Sequence, residues 1–212
     1  MAVIHRTTMT PGKLELLSSW LPRQPWYLGS GRAPELVRAG GFRLDDPDGE
    51  VGIEFVVAVD TAGPDPVAYL LPLAYRGAPM DGTGPDSGLI GSSEHGVLGT
   101  RWLYDGVADP VLMTALAALL SGSAVAQQQS VSDTPDPTVT VRPAPGPSFS
   151  YGINRVLRPL ESADPVADPD ADPGAELMAV TESDQVVLGQ VVAGWVWPDG
   201  TAARGVFATA TA

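Results

Sequence analysis

The chain has 212 residues and a formal net charge of −13, with one lysine, Lys13, against eleven arginines and no cysteine. That balance works against nucleic acid and anionic membrane as partners, since both are held chiefly through Lys and Arg, and the missing cysteines exclude disulfides, thiolate metal sites and a cysteine nucleophile. No run reaches the ~18 apolar residues of a spanning helix and "MAVIHRTTMTPGK" lacks the apolar core of a signal peptide, so a cytoplasmic chain of one large or two small domains is expected, with no membrane contact.

In chain order, "MAVIHRTT" alternates and is a candidate strand. Thr10 before Pro11 predicts a helix start, with Leu14, Leu17, Trp20 and Leu21 at helical spacing and Pro22 as its end. "RQPWYLGSGRAP" reads as a loop anchored by Trp26 and Tyr27. A meander follows, "ELVRAGGFRLDD", "EVGIEFVVAVDT" and "PVAYLLPLAYRG", broken by Pro/Asp/Gly turns. In its middle strand Val51, Ile53, Phe55, Val57 and Val59 share a core face, while Gly52, Glu54, Val56, Ala58 and Asp60 share a mixed, partly covered one. Pro72 predicts an edge position or a bulge for the third strand.

"GLIGS" and "GVLGTRWLYDG" read as short strands. Asp109-Pro110 predicts a capped helix with Leu112, Leu116, Leu119 and Leu120 on its apolar face and Gly122 as the stop. "SAVAQQQSVSDTPDP" reads as a polar linker. "TVTVRPAP", "SFSYGINRVLRPL", "QVVLGQVVAGWVWPDG" and "TAARGVFATATA" read as strands, the last two joined through Pro198-Asp199-Gly200. The acidic runs "DDPDGE" and "ADPVADPDADPGAE" read as solvated turns. The second carries prolines and lacks the ligand order of an EF-hand, so calcium is not expected.

"LLSSWLPRQPWYLG", "YLLPLAYRGAP" and "LIGSSEHGVLGTRWLYDGVADPVLMTALAALL", in that order over residues 10–122, resemble the amino-terminal cap domain of actinobacterial maltokinases, a cap shared by related glucosamine kinases. "INRVLRPLESADPVADPDADPGAELMAV" and "VVAGWVWPDGTAARGVFATATA" resemble a worn small lobe of an aminoglycoside-phosphotransferase-like kinase. The resemblance puts Arg155 where the nucleotide-handling lysine of that lobe belongs and Glu176 where its acidic partner belongs, and so implies an Arg155–Glu176 ion pair. Its members continue into a helical lobe with a catalytic aspartate and magnesium ligands. This sequence has no H-x-D pattern, D-F-G-like motif or P-loop, and a guanidinium does not replace an ammonium at such a site.

The other candidates are poorer. Glu94 and His95 are adjacent, so on a strand they point to opposite faces and read as a turn. His5 is distant from His95, and neither completes a metal or serine-nucleophile constellation; "GSGRAP" lacks a dinucleotide fingerprint. Trp20, Trp26, Tyr27, Trp102, Tyr104 and the pair Trp195 and Trp197 offer flat rings to a sugar but read first as packing anchors.

The expectation is therefore an α+β fold of mainly antiparallel sheets with a few helices. A cap-like domain covers 1–122, a linker 123–135 and a small-lobe-like β segment 136–212. Catalytic, metal and cofactor-binding residues are expected to be none. The expected role is a non-catalytic accessory or regulatory protein of α-glucan, maltose or trehalose metabolism, with a protein partner (itself or an enzyme of that metabolism). The alternative is a binding module for a sugar or a nucleotide.

Overall fold

The computed structural model describes residues 9–29, 31–81, 87–146, 149–160 and 186–212. Among the described residues, eleven strands and two short α-helices make the fold mostly antiparallel β rather than a balanced α+β class. The strands are β1 (Met9–Thr10), β2 (Leu36–Leu44), β3 (Val51–Asp60), β4 (Val67–Arg76), β5 (Leu89–His95), β6 (Gly99–Asp105), β7 (Thr140–Arg142), β8 (Ser150–Ile153), β9 (Val156–Leu157), β10 (Val187–Val196) and β11 (Ala202–Thr211). The helices are α1 (Lys13–Trp20) and α2 (Pro110–Leu120).

All the described strands belong to one sheet in the order β1-β5-β6-β4-β3-β2-β10-β11-β8, with β7 beside β10 and β9 beside β4. The described strands of 136–212 thus join that sheet rather than forming one of their own: β10 meets β2 at Trp195 opposite Gly40, and β9 lies along β4 at Ala68 and Tyr69. The 123–135 stretch is tied down as well, because Gln127 and Arg43 exchange both backbone hydrogen bonds, at 2.8 and 2.9 Å.

Period-two alternation gives the sheet two buried faces. On one, Val51, Ile53, Phe55, Val57 and Val59 pack with Phe42, Leu112, Leu116, Leu119, Leu120, Trp195 and Phe207 beneath α2. On the other, Val56 and Ala58 pack with Tyr69, Leu71, Leu73 and Leu103 against Leu17, Trp20 and Leu21. The mixed face of β3 is therefore a second core, roofed by α1.

Helix α1 begins later than the Thr10-Pro11 signal implies. Thr10 is taken into β1, paired with Glu94, and Gly12 is the helix N-cap, its N–H donating to the Glu15 carboxylate at 3.2 Å. Pro22 does not end the turn at once, because Leu21–Arg23 continues as a 3₁₀ turn, where a proline at the start sacrifices no needed donor. Residues 1–8 of the expected first strand lie outside the described residues.

Pro72 sits in a central strand rather than at an edge. Its neighbour β3 pairs along all of β4, whereas the opposite side is shared by two strands, β9 at residues 68–69 and β6 at 73–76. The Leu70 N–H donates to Arg155 across that side at 3.0 Å. Two residues on, Pro72 faces the same way, into the gap between β9 and β6, where no ladder bond is lost.

Candidate functional site

Three clusters of buried charge organise the molecule. The first is Glu54, an acid in the middle of β3 that is 5% exposed. Lys13 of α1 donates to its Oε2, as does the Tyr75 hydroxyl at 2.8 Å. Arg38 and the Gln129 side-chain amide donate to Oε1 at 3.2 and 3.0 Å. Burial opposes ionisation of this carboxyl, but the charges of Lys13 and Arg38 with the hydrogen bonds from Lys13 and Tyr75 outweigh it and hold the group below its ordinary range. The same burial, reinforced by the Glu54 charge, pushes the Tyr75 hydroxyl well above its usual value. Lys13 also sits 5.0 Å from the Tyr75 ring centroid.

The second cluster spans the gap beside Pro72. One amino group of Arg155 donates to both oxygens of Asp105 at 2.6 Å, and the guanidinium lies 5.0 Å from the Trp26 ring centroid. Its other amino group is buried without a partner among the described residues. Asp105 ends β6 and Arg155 precedes β9, so this pair joins the two strands that share the β4 edge. Of the expected Arg155–Glu176 pair, Glu176 lies outside the described residues; among those described, Asp105 is an acid that meets Arg155.

The third cluster is a helix start. Asp109, fully buried, accepts from the N–H groups of Val111 and Leu112 at 2.9 and 3.4 Å. Arg76 donates to its two oxygens at 2.7 and 2.9 Å. That hydrogen-bonded pairing raises the Arg76 pKa despite partial burial. The Asp109-Pro110 cap expected from sequence is present and also anchors β4 to α2.

The aromatic anchors divide between the faces. Trp26 lies 5.8 Å from Trp20 and 6.0 Å from Tyr69, and Tyr27 lies 5.6 Å from Tyr69, all on the α1 side. Tyr27 donates to Asp60 at 2.8 Å; burial, then that bond and charge, raise its pKa. Trp102 and Tyr104 pack on the α2 side, where the Tyr104 hydroxyl accepts from the Met80 N–H at 2.9 Å. These four rings therefore do not form one platform. Trp195 and Trp197 stand edge to face at 5.9 Å, with Trp195 2% exposed in the α2-side core.

Glu94 and His95, expected as a turn, are instead the last two residues of β5, paired with Thr100 and Gly99, and the turn is 96–98. His95 Nδ1 accepts from the N–H groups of Val97 and Leu98 at 3.3 and 3.1 Å, and Glu94 accepts from the Thr100 hydroxyl at 2.7 Å. In the "DDPDGE" turn one acid is not solvated: Asp46, 4% exposed, accepts from the N–H groups of Asp48, Glu50 and Val51 and staples the loop. An open cavity of about 220 Å³ is lined by Leu28, Gly29, Asp60, Gly63, Pro64, Asp65 and Val67. Asp60 already accepts from Glu35, Ala62 and Tyr27, so little of its acceptor capacity is left for a ligand.

Residues 20–109 match the family model of the maltokinase N-terminal cap domain. The match starts at the last residue of α1 and stops at the cap of α2, and covers under half of the chain. No curated protein matches the chain. Glu54, Asp105 and Asp109 all lie inside the matched span, while Lys13, Gln129 and Arg155 reach in from outside it.

The sequence left Glu54, Arg38, Tyr75 and Gln129 unassigned as a group, and it missed the Asp105–Arg155 pair. One signal was available for Glu54: a lone acid between Ile53 and Phe55 in an apolar strand, in a chain with a single lysine. A buried carboxylate demands a cation. Which cation answered was a matter of topology.

Proposed function

We propose that this chain serves maltose and α-glucan metabolism as a maltokinase-type cap, a non-catalytic element that acts on a protein partner, either a second copy or an enzyme of that metabolism. The carrying observation is the match of residues 20–109 to the maltokinase N-terminal cap domain. The geometry supports the non-catalytic half of the reading, since each buried acid in the matched span is engaged by donors that shape the fold. Glu54 has four, Asp105 is gripped by Arg155, and Asp109 is shared between Arg76 and a helix terminus. A general acid or base needs a reachable proton and a pKa near the working pH.

The test is a phosphotransfer assay on the purified 212-residue chain with ATP and maltose or glucosamine. No sugar phosphate is expected, and turnover would overturn the non-catalytic reading. Light scattering on the chain, alone and mixed with a maltokinase-type catalytic domain, reads the partner. A strict monomer that leaves the enzyme's size and activity unchanged would sink the accessory role.

A second reading, a sugar- or nucleotide-binding module, has the open cavity beside Asp60 and Asp65 in its favour. A ligand at a hundred times its Kd stabilises by ~2.7 kcal/mol, so thermal shift with ATP, maltose, trehalose and glucosamine decides it.

A further inference from the structure

We propose that Glu54 is a shared latch, one buried carboxylate that couples the docking of helix α1 to the docking of the 124–136 strap, so that loosening either loosens the other. The latch does not depend on the maltokinase reading. An ionised carboxylate offers about four lone-pair positions, and the four donors to Glu54 come from four separate elements: α1 (Lys13), β2 (Arg38), β4 (Tyr75) and the strap (Gln129). Arg38 and Tyr75 ride on strands held by the ladder. Lys13 and Gln129 do not, and each is the side chain through which its own segment reaches this carboxylate.

The two partners outside the ladder are physically linked. Burial works against the charge of Glu54, and Lys13 is foremost among the groups that overcome it. Withdrawing Lys13 forces the carboxylate to take up water or a proton. A proton makes the bond from Gln129 a neutral one, roughly half as strong as a bond to an ionised acceptor, and water competes with the Gln129 amide for the carboxylate's lone pairs. Gly41 keeps the path open. Its φ is +117°, and a Cβ there would stand 1.9 Å from the Phe55 carbonyl oxygen and 2.9 Å from the Gln129 side-chain nitrogen. The strap's other fastenings, the Gln127–Arg43 backbone pair and the Arg43 side chain on the Gln128 carbonyl at 3.1 Å, keep it beside β2 while Gln129 engages or releases. What the latch guards is the apolar surface beneath α1, formed by Val56, Leu71, Leu73 and Leu103.

The chain carries its own probe, because Lys13 is its only ε-amine. The experiment combines amine labelling of Lys13 with hydrogen exchange of residues 13–20, 126–129 and 110–120 in the full chain. In Gln129→Ala, labelling of Lys13 and exchange of α1 are expected to rise about threefold or more while α2 is unchanged. In Lys13→Met, exchange of 126–129 is expected to rise by a comparable factor, again with α2 unchanged. Effects confined to the mutated segment would overturn the latch. Gln129 is only half-buried, so its variant folds and decides the question even where Lys13→Met disturbs the whole domain.

Discussion

The two faces of the sheet are roofed by helices that dock in opposite ways. Helix α2 reads PVLMTALAALL, begins at a doubly bonded aspartate and buries Leu112, Ala115, Leu116, Leu119 and Leu120. Helix α1 reads KLELLSSW, has no side-chain cap, buries only Leu17 and Trp20, and reaches the sheet through Lys13 on Glu54. One roof is held by apolar area, with its polar group placed at the helix start. The other is held by less area and a carboxylate in the middle of a strand. The difference teaches where charge can be placed: Asp109 works for a helix terminus that needs an acceptor, whereas Glu54 needs cations brought to it.

The largest expected effect tests the α2 side. Asp109→Ala removes the helix cap and strands a partly buried Arg76, so it should cost about 3–5 kcal/mol, measured by urea unfolding at neutral pH. On the α1 side, Glu54→Ala leaves Lys13 and Arg38, whose side chains are 33% and 50% exposed and can turn to water. The expected cost is about 1–3 kcal/mol. A Glu54→Ala cost equal to that of Asp109→Ala would break the distinction between the roofs.

The pH dependence sharpens the same contrast. The folded Glu54 carboxyl sits below its ordinary value of 4.5. Its contribution is therefore complete above the unfolded-state value and is lost as pH falls through the lower folded one. Glu54→Gln should flatten the acid side of a Tm profile, and an unchanged slope would remove Glu54 from the account. At the alkaline end the sign reverses. Tyr75 and Tyr27, both on the α1 side, have hydroxyls raised above 10, so their contribution is complete below pH 10 and is lost as pH rises past it. Phenolate absorbance of the native protein should show these two ionising only as the fold opens.

The smallest effect belongs to the turn. His95→Ala removes the acceptor for Val97 and Leu98 at an exposed hairpin tip, and about 0.5 kcal/mol or less is expected, read as a small Tm shift. A loss rivalling that of Glu54→Ala would give His95 a weight its position does not suggest.

The meander β2–β4, the Asp109 cap, the Gly122 stop and the hairpin at 198–200 were legible because each rests on neighbours in sequence: alternation, a proline after an aspartate, a glycine at φ +77°; the single strand expected over "SFSYGINRVLRPL" is two, β8 on β11 and β9 on β4. The α1 start was misread for a local reason of a different kind. Thr10 had a competing use as a strand residue against Glu94. Pro72 was misread because an edge and a gap between two partner strands look identical from one strand.

Residues 36–105 set two apolar faces with an acid, Glu54, in the middle of one of them, and they lie within the span that matches a known cap. Tertiary structure alone decided which cations met which acids. Lys13 and Glu54 are 41 positions apart, Gln129 and Glu54 75, Arg155 and Asp105 50. Periodicity is a property of neighbouring residues and can say which face a side chain takes. Pairing across such distances is set by strand order, and here the order brings β9 and β10 from beyond the matched region into the sheet that β2–β6 began.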